Sequence, residues 1–182
     1  WETSYQYNAV GQRKLLTMTR GAMTQTRQWV YYSGTQRLWY EIHPESGQTT
    51  YIYNTDGSIS QKNLANGKTV WYGYDAIGRL TSVTNSAGGG CSDATFVYDA
   101  TGEPNPGGAQ AANAVGRLAK VVYGGGSCGV IAIPFHEIYS YTAGGLVTKK
   151  HLRMGASEQT SPNVDVNYSH NNEGQVQTLN VK

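Results

Sequence analysis

Apolar and polar residues alternate along this chain in short runs, and each run is cut by a turn signature. Residues 72–83 read Tyr-Gly-Tyr-Asp-Ala-Ile-Gly-Arg-Leu-Thr-Ser-Val. Tyr72 and Tyr74 stand two apart, so on a strand they share one face. Asp75 suits the first corner of a type I turn, because its carboxylate can accept a bond from the N–H two residues on. Gly78 suits the place where the chain needs φ > 0 to enter the next strand. Arg79, Leu80 and Val83 carry the chain away. The stretch predicts a β-hairpin.

The pattern repeats. A Tyr before a turn falls at Tyr7, Tyr32, Tyr53, Tyr74, Tyr98, Tyr141 and Tyr168, and two successive spacings are 21 residues. About 21 residues is two short strands and two turns. The turns read Asn8-Ala-Val-Gly11, Asn54-Thr-Asp-Gly57, Asp75-Ala-Ile-Gly78 and Asp99-Ala-Thr-Gly102. Looser copies are Ser33-Gly34, Thr142 to Gly145 and Asn171 to Gly174. An aromatic or apolar residue stands two before most of these tyrosines, as in Tyr5/Tyr7, Tyr51/Tyr53, Phe96/Tyr98 and Val166/Tyr168. Stacked in a sheet, such pairs form columns on one face. The opposite hairpin ends carry Asn66-Gly67, which suits a type I′ turn, and Gly-rich runs at 85–90 and 124–129.

One interruption separates Tyr98 from the outgoing Gly116-Arg117-Leu118. Pro104 and Pro106 cannot donate to a ladder, so 103–113 reads as an enlarged surface loop, neutral rather than binding. Residues 157–163 read as a second loop. No helix is expected. Cys91 and Cys128, the only cysteines, both fall at Gly-rich hairpin ends on the same edge of the expected sheet. They are therefore expected to form a disulfide.

Composition narrows the function. With 14% charged residues and a net charge of +2, the chain lacks the basic density that nucleic acid requires. Tyr (14) and Gly (23) dominate while Phe is scarce (2), which suits many strands, turns and half-buried hydrogen-bonding aromatics. No apolar run reaches the roughly 18 residues of a membrane helix. A mean hydropathy of −0.49 also argues against a lipid-facing barrel. His43, His136, His151 and His170 are scattered and read as surface or sheet-edge residues. The glycine runs lack the Lys-Ser/Thr of a phosphate loop. No catalytic or metal-binding set is expected, and no cofactor. Arg79, Arg117, Lys149, Lys150 and Arg153 read as a solvated face.

Tyr-x-Tyr-Asp-x-x-Gly-Arg-Leu-x-x-Val resembles the repeat of the YD-repeat, or Rhs, proteins. Residues 72–83 match it fully. Tyr98-Asp99 with Gly116-Arg117-Leu118 matches it around the long loop, and the copies near Tyr141 and Tyr168 match loosely. The resemblance implies an all-β fold of antiparallel hairpin repeats in a curled or spiralling sheet, of the kind that encloses a polypeptide in bacterial toxins and builds adhesion proteins. It implies one YD-repeat region over 1–182, a segment of a longer chain. The expected function is a non-enzymatic structural wall of an extracellular or cell-surface protein. The expected partners are further repeats, or copies joined by strand-edge pairing, with a possible enclosed polypeptide or surface glycan. The alternative is a carbohydrate- or choline-binding hairpin module, since Trp71-Tyr72 follows Asn66-Gly67 as in such repeats. Against it, Trp1, Trp29, Trp39 and Trp71 do not recur at one repeat position.

Overall fold

A computed structural model describes residues 1–85, 92–99, 111–124, 133–155 and 161–182. Among them there are strands and turns and no helix. Among the described residues, fourteen antiparallel strands form one open sheet in chain order. They are β1 (Glu2–Tyr7), β2 (Arg13–Arg20), β3 (Met23–Tyr31), β4 (Leu38–His43), β5 (Gly47–Tyr53), β6 (Ile59–Asn63), β7 (Thr69–Tyr74), β8 (Leu80–Asn85), β9 (Ser92–Tyr98), β10 (Leu118–Tyr123), β11 (Phe135–Tyr141), β12 (Val147–Met154), β13 (Asn163–His170) and β14 (Val176–Val181). This is the all-β hairpin architecture expected from the repeat. Two compact units, Trp1–Tyr72 and Gly73–Lys182, are described in turn.

The turns share one hydrogen-bond set. At Asn8, Asn54, Leu64, Asp75, Thr142 and Asn171, the first residue's N–H donates to the carbonyl four residues on. The glycine three residues on donates back to the first carbonyl, all at 2.8–3.0 Å. Asp75 shows why an acid or amide belongs at the start: its Oδ1 accepts from the Ile77 N–H at 3.1 Å and the Arg79 N–H at 2.8 Å. Gly78 has φ +83°, which L side chains rarely adopt. Asn66-Gly67 belongs to this same set, closed by Leu64 and Lys68. Asn66 does not have positive φ, so the expected type I′ turn is corrected: a type I′ turn needs φ > 0 at both central residues.

A bulge follows most of these turns and explains a spacing that simple alternation does not. Tyr98 pairs with Leu118 but Val97 pairs with Lys120, which leaves Ala119 as the extra residue. The same slip leaves Lys14, Trp39, Ser60, Thr148 and Gln177 extra on their strands. An extra residue shifts the side-chain alternation by one. Leu118 and Val121, three apart, therefore both lie on the face of Tyr98 and Phe96. The register also corrects two assignments. Tyr31, paired with Leu38, holds the pre-turn place given to Tyr32. His170, paired with Val176, holds the place given to Tyr168.

In the first unit, the pairings from β1 to β7 separate two unlike faces. One carries Tyr5, Tyr7, Arg13, Trp29, Tyr31, Glu41, Tyr51, Tyr53 and Lys62. The other carries Thr17, Thr19, Thr24, Thr26, Gln28, Thr50, Gln61 and Asn63, with Glu2 as the one acidic residue that register places there. Burial is slight here, and Thr49 is the unit's one buried residue.

The second unit has a small core. Ile138 (3% exposed) packs with Ala111, Ala114 and Ala119. Residues 111–116, the end of the interrupting loop, are bonded back to β11: the Tyr141 N–H donates to the Ala112 carbonyl at 2.9 Å and Asn113 Nδ2 donates to the Tyr141 carbonyl at 2.8 Å. This part of the loop is thus integral to the unit, not a neutral surface addition. His136 and His151 are buried, which corrects their reading as surface residues. Cys91, Cys128 and Gly102 lie outside the described residues, as do 100–110 and 156–160.

Candidate functional site: a clasp between successive turns

On one edge of the sheet, the residue after the positive-φ turn residue, a glycine or Gln36, reaches the next turn in most repeats. In the first unit, the Arg37 guanidinium lies over the Tyr53 ring at 5.6 Å and covers Gly57. Gln12, in the same place one turn earlier, donates to the Gln36 carbonyl at 2.9 Å. In the second unit, Arg79 lies 4.4 Å from the Tyr98 ring centre. It donates to Asp75 and to Asp99, both at 2.6 Å. Arg117 lies 5.5 Å from the Tyr141 ring centre and covers Gly145. Leu146 covers Gly174. At Gly57, Gly145 and Gly174 the turn glycine therefore meets two demands: its backbone needs φ > 0, and its bare Cα forms the floor for the side chain of the preceding turn.

The pre-turn tyrosine closes the clasp. Tyr53 donates its hydroxyl to the Leu38 carbonyl at 2.8 Å, and Tyr141 donates to the Leu118 carbonyl at 2.7 Å. Tyr31 does the same to the Arg13 carbonyl at 2.8 Å. Each acceptor is the residue right after the reaching side chain of the turn before. Tyr, Gly, Arg and Leu thus act in two neighbouring repeats at once, and a cation over an aromatic face contributes about 0.5–1 kcal/mol at such exposed sites. Arg79 and Arg117, read as part of a solvated face, are engaged here instead.

The predicted repeat residues fall as follows. Tyr7, Asn8 and Gly11 form the first turn and its entry, and Tyr53, Asn54 and Gly57 the third. Tyr72 and Tyr74 lie on β7, and Asp75, Gly78, Arg79 and Leu80 make the next turn. Asp99 has φ +59°. Its N–H donates to the Arg117 carbonyl at 3.2 Å and its Oδ1 accepts from the Gly116 N–H at 2.5 Å. Gly116, with φ +77°, therefore supplies the turn glycine, and the interrupting loop is an insertion inside a turn that still closes. Arg37-Leu38 was not singled out from sequence. Its signal is the Arg-Leu pair itself, displaced by a turn one residue longer than the others.

Electrostatics follow these contacts. The Arg79 side chain holds Asp75 and Asp99 below the usual carboxylate range, and both carboxylates raise Arg79. On the tyrosine face, burial raises the Tyr51 and Tyr139 hydroxyls, and their bonds to Glu41 and Glu137 raise them further. On the other face of the second unit, Asp165 accepts from Lys149 and contacts His151 Nδ1, each at 2.6 Å. Burial alone would raise Asp165, but these two partners outweigh it and its carboxyl lies below its ordinary value. A depressed folded value means its stabilisation is present above the unfolded value, near pH 4, and is lost as pH falls further. Asp165→Asn is expected to lower stability at pH 7 and flatten the decline below about pH 4. Urea unfolding at several pH values checks this, and an unchanged acid limb would refute it.

Among the described residues, no three His, Cys, Asp or Glu side chains come together as a metal-binding group. Nor is any helix among the described residues long and apolar enough to cross a membrane.

Residues 53–89 match the family model described as RHS Repeat, and that stretch is an RHS repeat. A comparison with curated proteins gives no match. The fold is similar to a crystal structure of TcdB2–TccC3 without its hypervariable C-terminal region, at 16% identity and a TM-score of 0.67, over 98% of this chain and 9% of that one. It is similar also to a mutant Tc holotoxin pore of Photorhabdus luminescens, at 15% identity and a TM-score of 0.62, over 97% of this chain and 11% of that one. The chain thus spans about a tenth of the length of these structures. At such identities the likeness shows the fold.

Proposed function

We propose that residues 1–182 are one YD-repeat region acting as a non-enzymatic wall segment of an Rhs-type protein, extracellular or on a cell surface, that encloses or displays a polypeptide. The observation that carries this reading is the clasp. The motif residues join one turn to the next. A wall needs hairpins that specify their successors, and Arg37, Arg79 and Arg117 do that by reaching forward. The RHS Repeat match and a fold shared with components of a toxin complex support it.

A wall of this kind continues at its edges. All six residues of β1 and all six of β14 are exposed, and unpaired edge strands are templates for pairing. One edge is an incoming strand and the other an outgoing strand, so joined copies would run head to tail. Light scattering with negative-stain imaging of the 182-residue chain is expected to show assemblies that grow with concentration. A monodisperse monomer at high concentration would count against edge continuation. Retention on a choline column or a glycan array would instead favour the binding-module alternative.

A further inference from the structure

The tyrosine face of the first unit is also its cationic face. Arg13 lies 5.3 Å from the Tyr5 ring centre and 5.5 Å from that of Trp29. Arg20 lies 4.7 Å from Trp1, and Lys62 lies 5.4 Å from Tyr51. Strand register puts Arg13, Arg20 and Lys62 on one face. The contacts of these three cations are with rings, whereas Arg27 is paired with Glu45. The one carboxylate on the strands of this face is Glu41, and it is occupied: Tyr51 donates to it at 2.7 Å and His43 lies 3.1 Å away. His43 meets Trp29 edge-on at 5.5 Å, so the ring beside Arg13 is itself held. Around Arg13 the surface forms an open depression of about 350 Å³, lined by Tyr7, Gly11, Arg13, Trp29 and Tyr31 and by no acidic residue.

A guanidinium stacked on rings keeps its edge N–H groups for a planar anion, and a carboxylate fits them bidentately. We propose that the tyrosine face of residues 1–72 binds an extended acidic polypeptide, with the Arg13 depression as its main carboxylate subsite and Arg20 and Lys62 as flanking ones. This rests on the reading of the chain as a wall that faces a polypeptide, and it says which face and which polypeptide chemistry. The spacing favours a polypeptide over nucleic acid. Arg13 on β2 and Lys62 on β6 are four strands apart, roughly 19 Å, which suits an extended chain with an acid every several residues. Double-stranded nucleic acid carries a charge about every 1.7 Å and calls for a denser basic surface. The residues that register pairs on the opposite face, Thr, Gln and Asn among them, include no cation.

The test uses the 182-residue chain and fluorescently labelled poly-L-glutamate. Binding is expected to poly-L-glutamate and not to poly-L-glutamine. The triple variant Arg13→Gln, Arg20→Gln, Lys62→Gln should bind about tenfold more weakly or worse. The variant Lys14→Gln, Lys68→Gln, Lys182→Gln changes net charge equally at positions off this face and should bind within about threefold of the original. Equal losses in the two variants would reduce the effect to net charge and overturn the proposal. No binding by the unmodified chain, or tighter binding of single-stranded DNA, would also overturn it. If the first variant loses its sheet signal in circular dichroism, the salt dependence of the unmodified chain decides. Binding that does not weaken between about 50 and 200 mM salt overturns the proposal. None of these failures touches the wall reading, which the assembly measurement judges separately.

Discussion

Ile138→Ala is expected to destabilise residues 73–182 by about 2–4 kcal/mol. Ile138 is 3% exposed, and its buried apolar neighbours are three alanines, Ala111, Ala114 and Ala119. Small neighbours supply no side chains that can swing into the space left by an isoleucine, so the cavity should persist and the cost should sit at the upper end of that range. Thermal unfolding should show a fall of roughly 10 °C for a unit of this size. The loop end at 111–116 should loosen as well, since Ile138 is what it packs on. The Tyr141 amide, bonded to the Ala112 carbonyl, should exchange its hydrogen faster. Ile52→Ala is the comparison. Ile52 is 39% exposed, and its loss should cost less than about 1 kcal/mol. A smaller effect at Ile138 than at Ile52 would mean that the alanine-lined core does not hold the unit together.

The second large effect is expected at Gly145. An alanine there must adopt φ near +95°, and its methyl would stand 3.0 Å from an Arg117 nitrogen. The backbone term costs about 1–2 kcal/mol. Displacing Arg117 from Tyr141 and from the Ala143 carbonyl adds about 1 kcal/mol. Gly78→Ala isolates the first term, because φ is +83° and no atom lies within 4 Å of the methyl. Gly145→Ala should therefore cost more than Gly78→Ala, and the excess should vanish in an Arg117→Ala background. A double-mutant cycle read by urea unfolding measures this coupling. Equal costs at the two glycines, with no coupling to Arg117, would refute the clasp.

The tyrosine–turn–glycine repeat was legible because turn chemistry is local. Asp75 and Gly78 act on atoms within four residues of themselves, so spacing alone exposes them. Arg79 and Arg117 carried the same regularity, yet their purpose was not legible. Their partners, Tyr98 and Tyr141, lie one hairpin further along, at distances set by strand pairing. Asn66-Gly67 misled for a related reason. The dipeptide favours a type I′ turn in isolation, but the chain closes the turn from Leu64 to Lys68 with Asn66 at negative φ, as in its sister turns. Tyr31 and His170, not Tyr32 and Tyr168, enter their turns, because register runs from turn to turn and not from tyrosine to tyrosine.

By itself the sequence determined that this chain is a series of hairpins, where most of them turn, and that tyrosines two apart such as Tyr72 and Tyr74 share a face, since all three depend on neighbours a few residues away. The tertiary structure alone decided that Leu118 and Val121 share that face, because a bulge resets the alternation between them. It alone decided that the end of an interrupting loop packs on Ile138. It alone paired Arg37, Arg79 and Arg117 with the turns that follow and set Arg13, Arg20 and Lys62 on one aromatic surface. Those arrangements rest on contacts between strands, and a linear pattern carries no record of which side chains meet across them.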